Sequence, residues 1–99
     1  MNRLVYHYES IKSKYSKYAD FHIEYHIEYK KHTFYETVVI QFKNNYYMVL
    51  VENPTGRVSV SYNLLKNKAK NKEKVGYSID NIFRFLKNDL SRRIKEEYR

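Results

Sequence analysis

The sequence predicts an α+β fold: an antiparallel β-meander of three to four strands, with an N-terminal helix and a C-terminal helix packed on the sheet. Three observations predict it. Apolar residues recur at helical spacing at both ends of the chain. The middle alternates apolar with polar residues, or runs apolar, in stretches of strand length. Short clusters of turn-forming residues separate those stretches.

Leu4, Tyr8, Ile11, Tyr15 and Tyr18 follow one another at spacings of four, three, four and three, which predicts a helix over Arg3–Tyr18. Lys12, Ser13, Ser16 and Lys17 then lie on its other side. The next nine residues, FHIEYHIEY, contain the tetrapeptide HIEY twice in tandem. Phe21, Ile23, Tyr25, Ile27 and Tyr29 alternate strictly with His22, Glu24, His26 and Glu28, the pattern of a strand with one buried face. The helical spacing also continues through His22, Tyr25 and Tyr29, so one long helix over residues 3–30 is the competing reading. The β-branched and aromatic content favours the strand.

Phe34–Lys43 predicts a strand, Asn44-Asn45 a two-residue hairpin turn, and Tyr46–Glu52 a buried strand. Asn53-Pro-Thr-Gly56 is a turn, with Pro54 fixing its own φ and Gly56 ending it. Arg57–Asn63 alternates Val58, Val60 and Tyr62 with Ser59 and Ser61, again a strand. In residues 64–77, Lys66, Lys68, Lys70, Lys72 and Lys74 occupy every second position with Glu73 as the one acid, which predicts an exposed basic loop. Ser78 is a good N-cap for a terminal helix over about 79–97. Its apolar stripe is Ile79, Ile82, Phe83, Leu86, Leu90 and Ile94. The whole chain, 1–99, is read as one domain.

With no cysteine, the chain forms no disulfide and offers no thiolate chemistry. No unbroken apolar stretch follows Met1, and the longest uncharged run, around Tyr46–Val51, is far short of the roughly 18 residues of a membrane-spanning helix. A cytoplasmic protein that avoids membranes is expected. Twelve tyrosines together with abundant Lys, Asn and Ile are what A/T-rich codons produce, which suggests a phage or mobile element of a low-GC bacterium. The same bias lowers the weight of the Lys and Tyr counts as functional signals.

The formal charge of +8 favours an anionic partner, either nucleic acid or a nucleoprotein complex. Two basic segments would supply the contacts. The first is Lys66, Lys68, Lys70, Lys72 and Lys74; the second is Arg84, Lys87, Arg92 and Arg93 of the terminal helix. Arginine grips phosphate bidentately, although Asp89, Glu96 and Glu97 are spaced to pair with these arginines inside the helix. Tyr46, Tyr47, Tyr62 and Tyr35, on strands near the basic segments, are candidate stacking platforms for bases. Tyr8, Tyr15, Tyr18, Tyr25 and Tyr29 are expected to be core.

No metal or cofactor is expected. His22, Glu24 and His26 could supply ligands, but their spacing matches no compact metal motif, and a mixed-charge strand face is the plainer reading. Two glycines leave no glycine-rich phosphate loop, and no nucleophile–base motif is present. The expectation is therefore a non-enzymatic binder of nucleic acid or nucleoprotein that reads shape and charge. One alternative is a protein-binding inhibitor of a bacterial defence complex, of the anti-CRISPR kind. Another is a small toxin-like ribonuclease using Arg, Lys, His and Tyr.

Overall fold

The computed structural model describes residues 2–64, 67–75 and 78–98, with side chains described outside 62–77. Helix α1 covers Arg3–Tyr15; strands β1 (Phe21–Tyr29), β2 (Phe34–Phe42), β3 (Asn45–Asn53), β4 (Arg57–Leu64) and β5 (Asn67–Val75) follow, and α2 covers Ile79–Glu97. All strand pairs are antiparallel, and the sheet order is the chain order, β1-β2-β3-β4-β5. The meander of β1–β4 and the two terminal helices are as the sequence predicts, except that α1 ends at Tyr15 rather than Tyr18, and HIEY-HIEY is strand. Its strict period of two decides this, because a helix would scatter the same apolar residues around its axis.

Residues 67–75 differ from expectation. The segment predicted as a loop pairs as a strand along β4, with Lys72 in register with Tyr62 and Lys74 with Val60. A run of lysines at every second position has no apolar face to bury. It needs only the free backbone edge of β4 to pair, and lysine is a common residue on such edge strands. The β2–β3 turn also sits one residue earlier than predicted, on Lys43-Asn44, with Phe42 opposite Asn45. Lys43 takes the left-handed φ of 53°. Its ammonium is held there by Asp20 at 3.1 Å and Glu97 at 3.6 Å.

The register puts alternate residues of every strand on one face. Val38, Ile40, Phe42, Tyr47, Val49, Val51, Val58 and Val60 are buried with Leu4, Ile11 and Tyr15 of α1 and Ile82, Phe83, Leu86, Leu90 and Ile94 of α2, as one core cluster. Full burial of a side chain such as Phe83 or Leu86 is worth about 1.5–3 kcal/mol. Both helices are capped as their sequences ask. Asn2 Oδ1 accepts from the Leu4 and Val5 amides, and Ser78 Oγ from the Asn81 amide at 3.2 Å. At the β3–β4 turn Gly56 adopts φ 76°, which a side chain would resist, and its N–H donates to the Glu52 carbonyl at 2.7 Å.

One buried polar residue was not legible as such in the sequence. His7 is buried on α1, its ring stacked on Phe83 at 4.4 Å. Nε2 lies 2.8 Å from Asp80 Oδ1, and Nδ1 lies 3.2 Å from Lys87 Nζ. A neutral ring protonated on Nε2 satisfies both partners and ties α1 to α2. Burial lowers the His7 pKa below 6.5, and Lys87 adds to this against the opposing bond from Asp80. The unfolded chain therefore binds more protons than the fold near that pH. The stabilisation is complete above about pH 6.5 and is lost as pH falls below it. Urea midpoints measured from pH 7.5 down to 5 should decline, and His7→Gln should flatten the decline. An equal slope in both proteins would refute the assignment.

Candidate functional site

Because both helices lie on the core side, the opposite face of the sheet carries no helix. Along β2 it presents Tyr35, Thr37, Val39 and Gln41; along β3, Tyr46, Met48, Leu50 and Glu52; along β4, Arg57, Ser59 and Ser61. Val39 sits opposite Met48, Thr37 opposite Leu50, and Met48 and Leu50 opposite Ser61 and Ser59. The centre of this face is thus a half-buried apolar strip bordered by hydroxyls. Tyr35 and Tyr46 stand at its two ends. Since Tyr46 is in register with Gln41, the two rings are six residues apart along the strands, about 20 Å. The Tyr35 hydroxyl donates to Glu52 at 3.2 Å, and the Tyr46 hydroxyl lies 3.5 Å from Met48 Sδ.

Charge changes sign across the sheet. At one edge β1 carries Glu24 and Glu28 and no lysine or arginine. At the other edge β5 carries four lysines and one glutamate in NKAKNKEKV. Among the described side chains of β2–β4 on the open face, Glu52 is the one carboxylate, and it is bonded by Tyr35 and by Thr55 Oγ1 at 2.8 Å.

The residues singled out from sequence do not converge on one surface. Tyr46 is on the open face. Tyr47 is not a contact residue: it is 2% exposed, points into the core and donates its hydroxyl to Asp89. The period of two puts adjacent tyrosines on opposite faces, so only one of the pair could be outside. Lys68, Lys70, Lys72 and Lys74 belong to β5. Their side chains and that of Tyr62 lie outside the described set, and Lys66 lies outside the described residues altogether.

Arg84, Lys87, Arg92 and Arg93 sit on the helical side. Arg92 bonds Asp89 Oδ1 at 2.5 Å and Glu96 at 3.2 Å, and Arg93 Nε bonds Asp89 Oδ2 at 2.9 Å. Burial alone would raise the Asp89 carboxyl, but Tyr47 and the two arginines outweigh it and hold it below the usual carboxylate range. Both arginines are therefore engaged in clamping α2 to Tyr47 of the sheet. Lys87 is bonded to His7, while Arg84 is exposed with no carboxylate partner among the described residues.

The helical side has further cations with no carboxylate partner among the described residues, which the sequence does not single out as contacts. Lys12, Lys14 and Lys17 of α1 and the turn after it lie over the rings of Tyr8, Tyr15 and Tyr18 at 5.6, 5.3 and 5.3 Å. The visible signal was each lysine's place within four residues of a stripe tyrosine.

His22 and His26 both direct Nε2 at Glu24, at 2.7 and 2.8 Å, and these bonds lower the Glu24 pKa. Among the described residues no cluster of His, Asp or Glu is arranged to hold a metal ion. The same residues include no helix long and apolar enough to cross a membrane. Comparison with protein-family models, with curated proteins and with solved structures gives no match.

Proposed function

We propose that the protein binds an extended single strand of nucleic acid across the uncovered face of its sheet. The observation that carries the reading is this face itself. It presents two tyrosines about 20 Å apart with an apolar strip between them, and a lysine strand runs along one border. Bases would lie on Tyr46, Met48, Leu50 and Tyr35, and the phosphates would follow the β5 edge, with lysines reaching around it, since Lys74 is in register with core-facing Val60. Stacking tolerates any base, so the binding would be selective for single strands and indifferent to sequence. A duplex keeps its bases inside and could use only the lysines. The acidic β1 edge fixes which side the strand approaches from.

The test is binding of the purified chain to short single-stranded and duplex DNA and RNA at low and at physiological salt. Single strands should bind more tightly than duplex, with affinity falling steeply as salt rises. Tyr46→Ala should weaken single-strand binding by about 1–3 kcal/mol, roughly five- to 150-fold, and leave duplex binding nearly unchanged. Equal loss for both would remove stacking from the account. Absence of binding at physiological salt would favour the alternative, in which the same apolar strip docks a protein of a defence complex.

A further inference from the structure

The strand β1 lies at an edge of the sheet and, among the described residues, pairs only with β2. Its outward backbone groups can be identified. The Lys43 N–H donates to the Asp20 carbonyl at 3.4 Å and the Lys30 N–H to the Thr33 carbonyl at 2.8 Å, and both pairs continue the β1–β2 register from Phe21↔Phe42 and Tyr29↔Phe34. Bonded pairs alternate in an antiparallel ladder, so the even-numbered residues of β1 bond to β2. Phe21, Ile23, Tyr25, Ile27 and Tyr29 turn N–H and C=O to the open edge, where Tyr18 takes the Phe21 N–H. The exposed residues on this strand include Ile27 at 43% and Tyr29 at 75%.

We infer that β1 pairs antiparallel with β1 of a second copy of this chain, about a two-fold axis through Tyr25. The tandem HIEY is self-complementary in this register, which pairs all nine residues of the strand. Tyr25 meets its own copy, Ile23 meets Ile27, Phe21 meets Tyr29, Glu24 meets His26 and His22 meets Glu28. Paired residues have the same parity, so they share a face: the apolar and aromatic pairs lie on the core side and the His–Glu pairs on the open side. The outward groups of Tyr25, Ile23 and Ile27 then fall in hydrogen-bonded pairs. The His–Glu pairs fall in the non-bonded positions, where facing side chains are closest.

A slip of two residues in either direction sets Glu24 opposite Glu24 or Glu28, and histidine opposite histidine. Charge therefore excludes these slips, and a slip of four residues, which restores His–Glu pairs, leaves only five of the nine strand residues paired. The opposite edge contrasts with this one, because lysines blunt β5 against self-pairing in the way edge strands commonly are blunted. β1 itself carries no lysine, and among the described residues only its Phe21 N–H is capped, by Tyr18. Closed two-fold pairing would give a ten-stranded sheet with all four helices on one side and a continuous open face. This inference is independent of what that face binds.

The experiment is the solution mass of the full chain, by sedimentation equilibrium, as protein concentration is raised by about a hundredfold. The mass should rise from 12.2 kDa to twice that value and stop. Ile27→Pro removes one outward N–H and touches no bond to β2, so it should give a folded monomer with an unchanged circular dichroism spectrum. His26→Glu, at an exposed position, faces Glu24 of the other copy in both symmetry-related pairs and should weaken dimerisation at least tenfold. Adding Glu24→His restores opposite charge and should restore the dimer. A monomer at every concentration overturns the inference, as does a dimer indifferent to both Ile27→Pro and His26→Glu. A mass that climbs beyond two copies also overturns it, since that is the open chain expected if β1 pairs with β5 of the next molecule.

Discussion

Reversing Lys68, Lys70 and Lys72 together to glutamate is expected to abolish single-strand binding at physiological salt, a loss of roughly a hundredfold or more. Reversing Lys12, Lys14 and Lys17 is expected to leave binding largely intact. Each triple lowers the formal charge of +8 by the same amount, so net attraction at long range falls equally in both. Only location differs: the first set is on the edge strand β5, and the second is on α1 and the turn after it, over its own tyrosine rings. Lost phosphate contacts also appear in the salt dependence. Each one removed should reduce the slope of log affinity against log salt by about 0.7 for a single strand, so the β5 triple should flatten it by roughly two. Equal losses in the two variants would mean that charge acts without regard to surface. A greater loss in the α1 triple would move the interface to the helices.

The contrast between those triples shows what sequence could and could not supply. Periodicity located both helices and β1–β4, because burial of one face imposes a repeat of 3.6 or 2 that survives in composition. It also told which residues of each strand share a face, yet Tyr47 was read by type rather than by parity. Tyr46 and Tyr47 look equivalent as tyrosines, but one faces solvent and the other reaches Asp89 in the core. The lysine run conceals its strand for a different reason. Pairing at an edge depends on a neighbour's free backbone groups, and those leave no mark in side-chain pattern. Arg92 and Arg93 were legible as cations and as potential partners of Asp89. Only geometry shows that both hold it at once, which takes them away from any ligand. The self-complementarity of HIEY-HIEY was on view from the start, but it acquires meaning only when β1 is known to be an edge.

The most destabilising polar substitution should be Glu36→Ala. Sequence places Glu36 among the apolar-facing positions of β2, where a carboxylate is costly unless it is bonded on all sides. It is 4% exposed, and it accepts from Asn2 Nδ2 at 2.6 Å, the Tyr25 hydroxyl at 2.5 Å and Asn53 Nδ2 at 2.9 Å. Those donors come from the cap of α1, from β1 and from the end of β3. Burial, with the bond to Glu36 adding to it, raises the Tyr25 phenol above its usual range and keeps it a donor. The Asn2 amide is oriented by the same contact, its Nδ2 toward Glu36 and its Oδ1 toward the first turn of the helix. Alanine would leave three donors without a partner and loosen the cap, at about 3 kcal/mol, or a fall in melting temperature of roughly 15 °C for a chain of this size. Glu36→Gln keeps the volume but turns an amide N–H₂ toward donors, so it should lose a smaller but clear fraction of that stability. Thermal and urea unfolding of the two variants decide the matter. If alanine costs less than about 1 kcal/mol, water satisfies these groups in the protein and the network does not hold α1, β1 and β3 together.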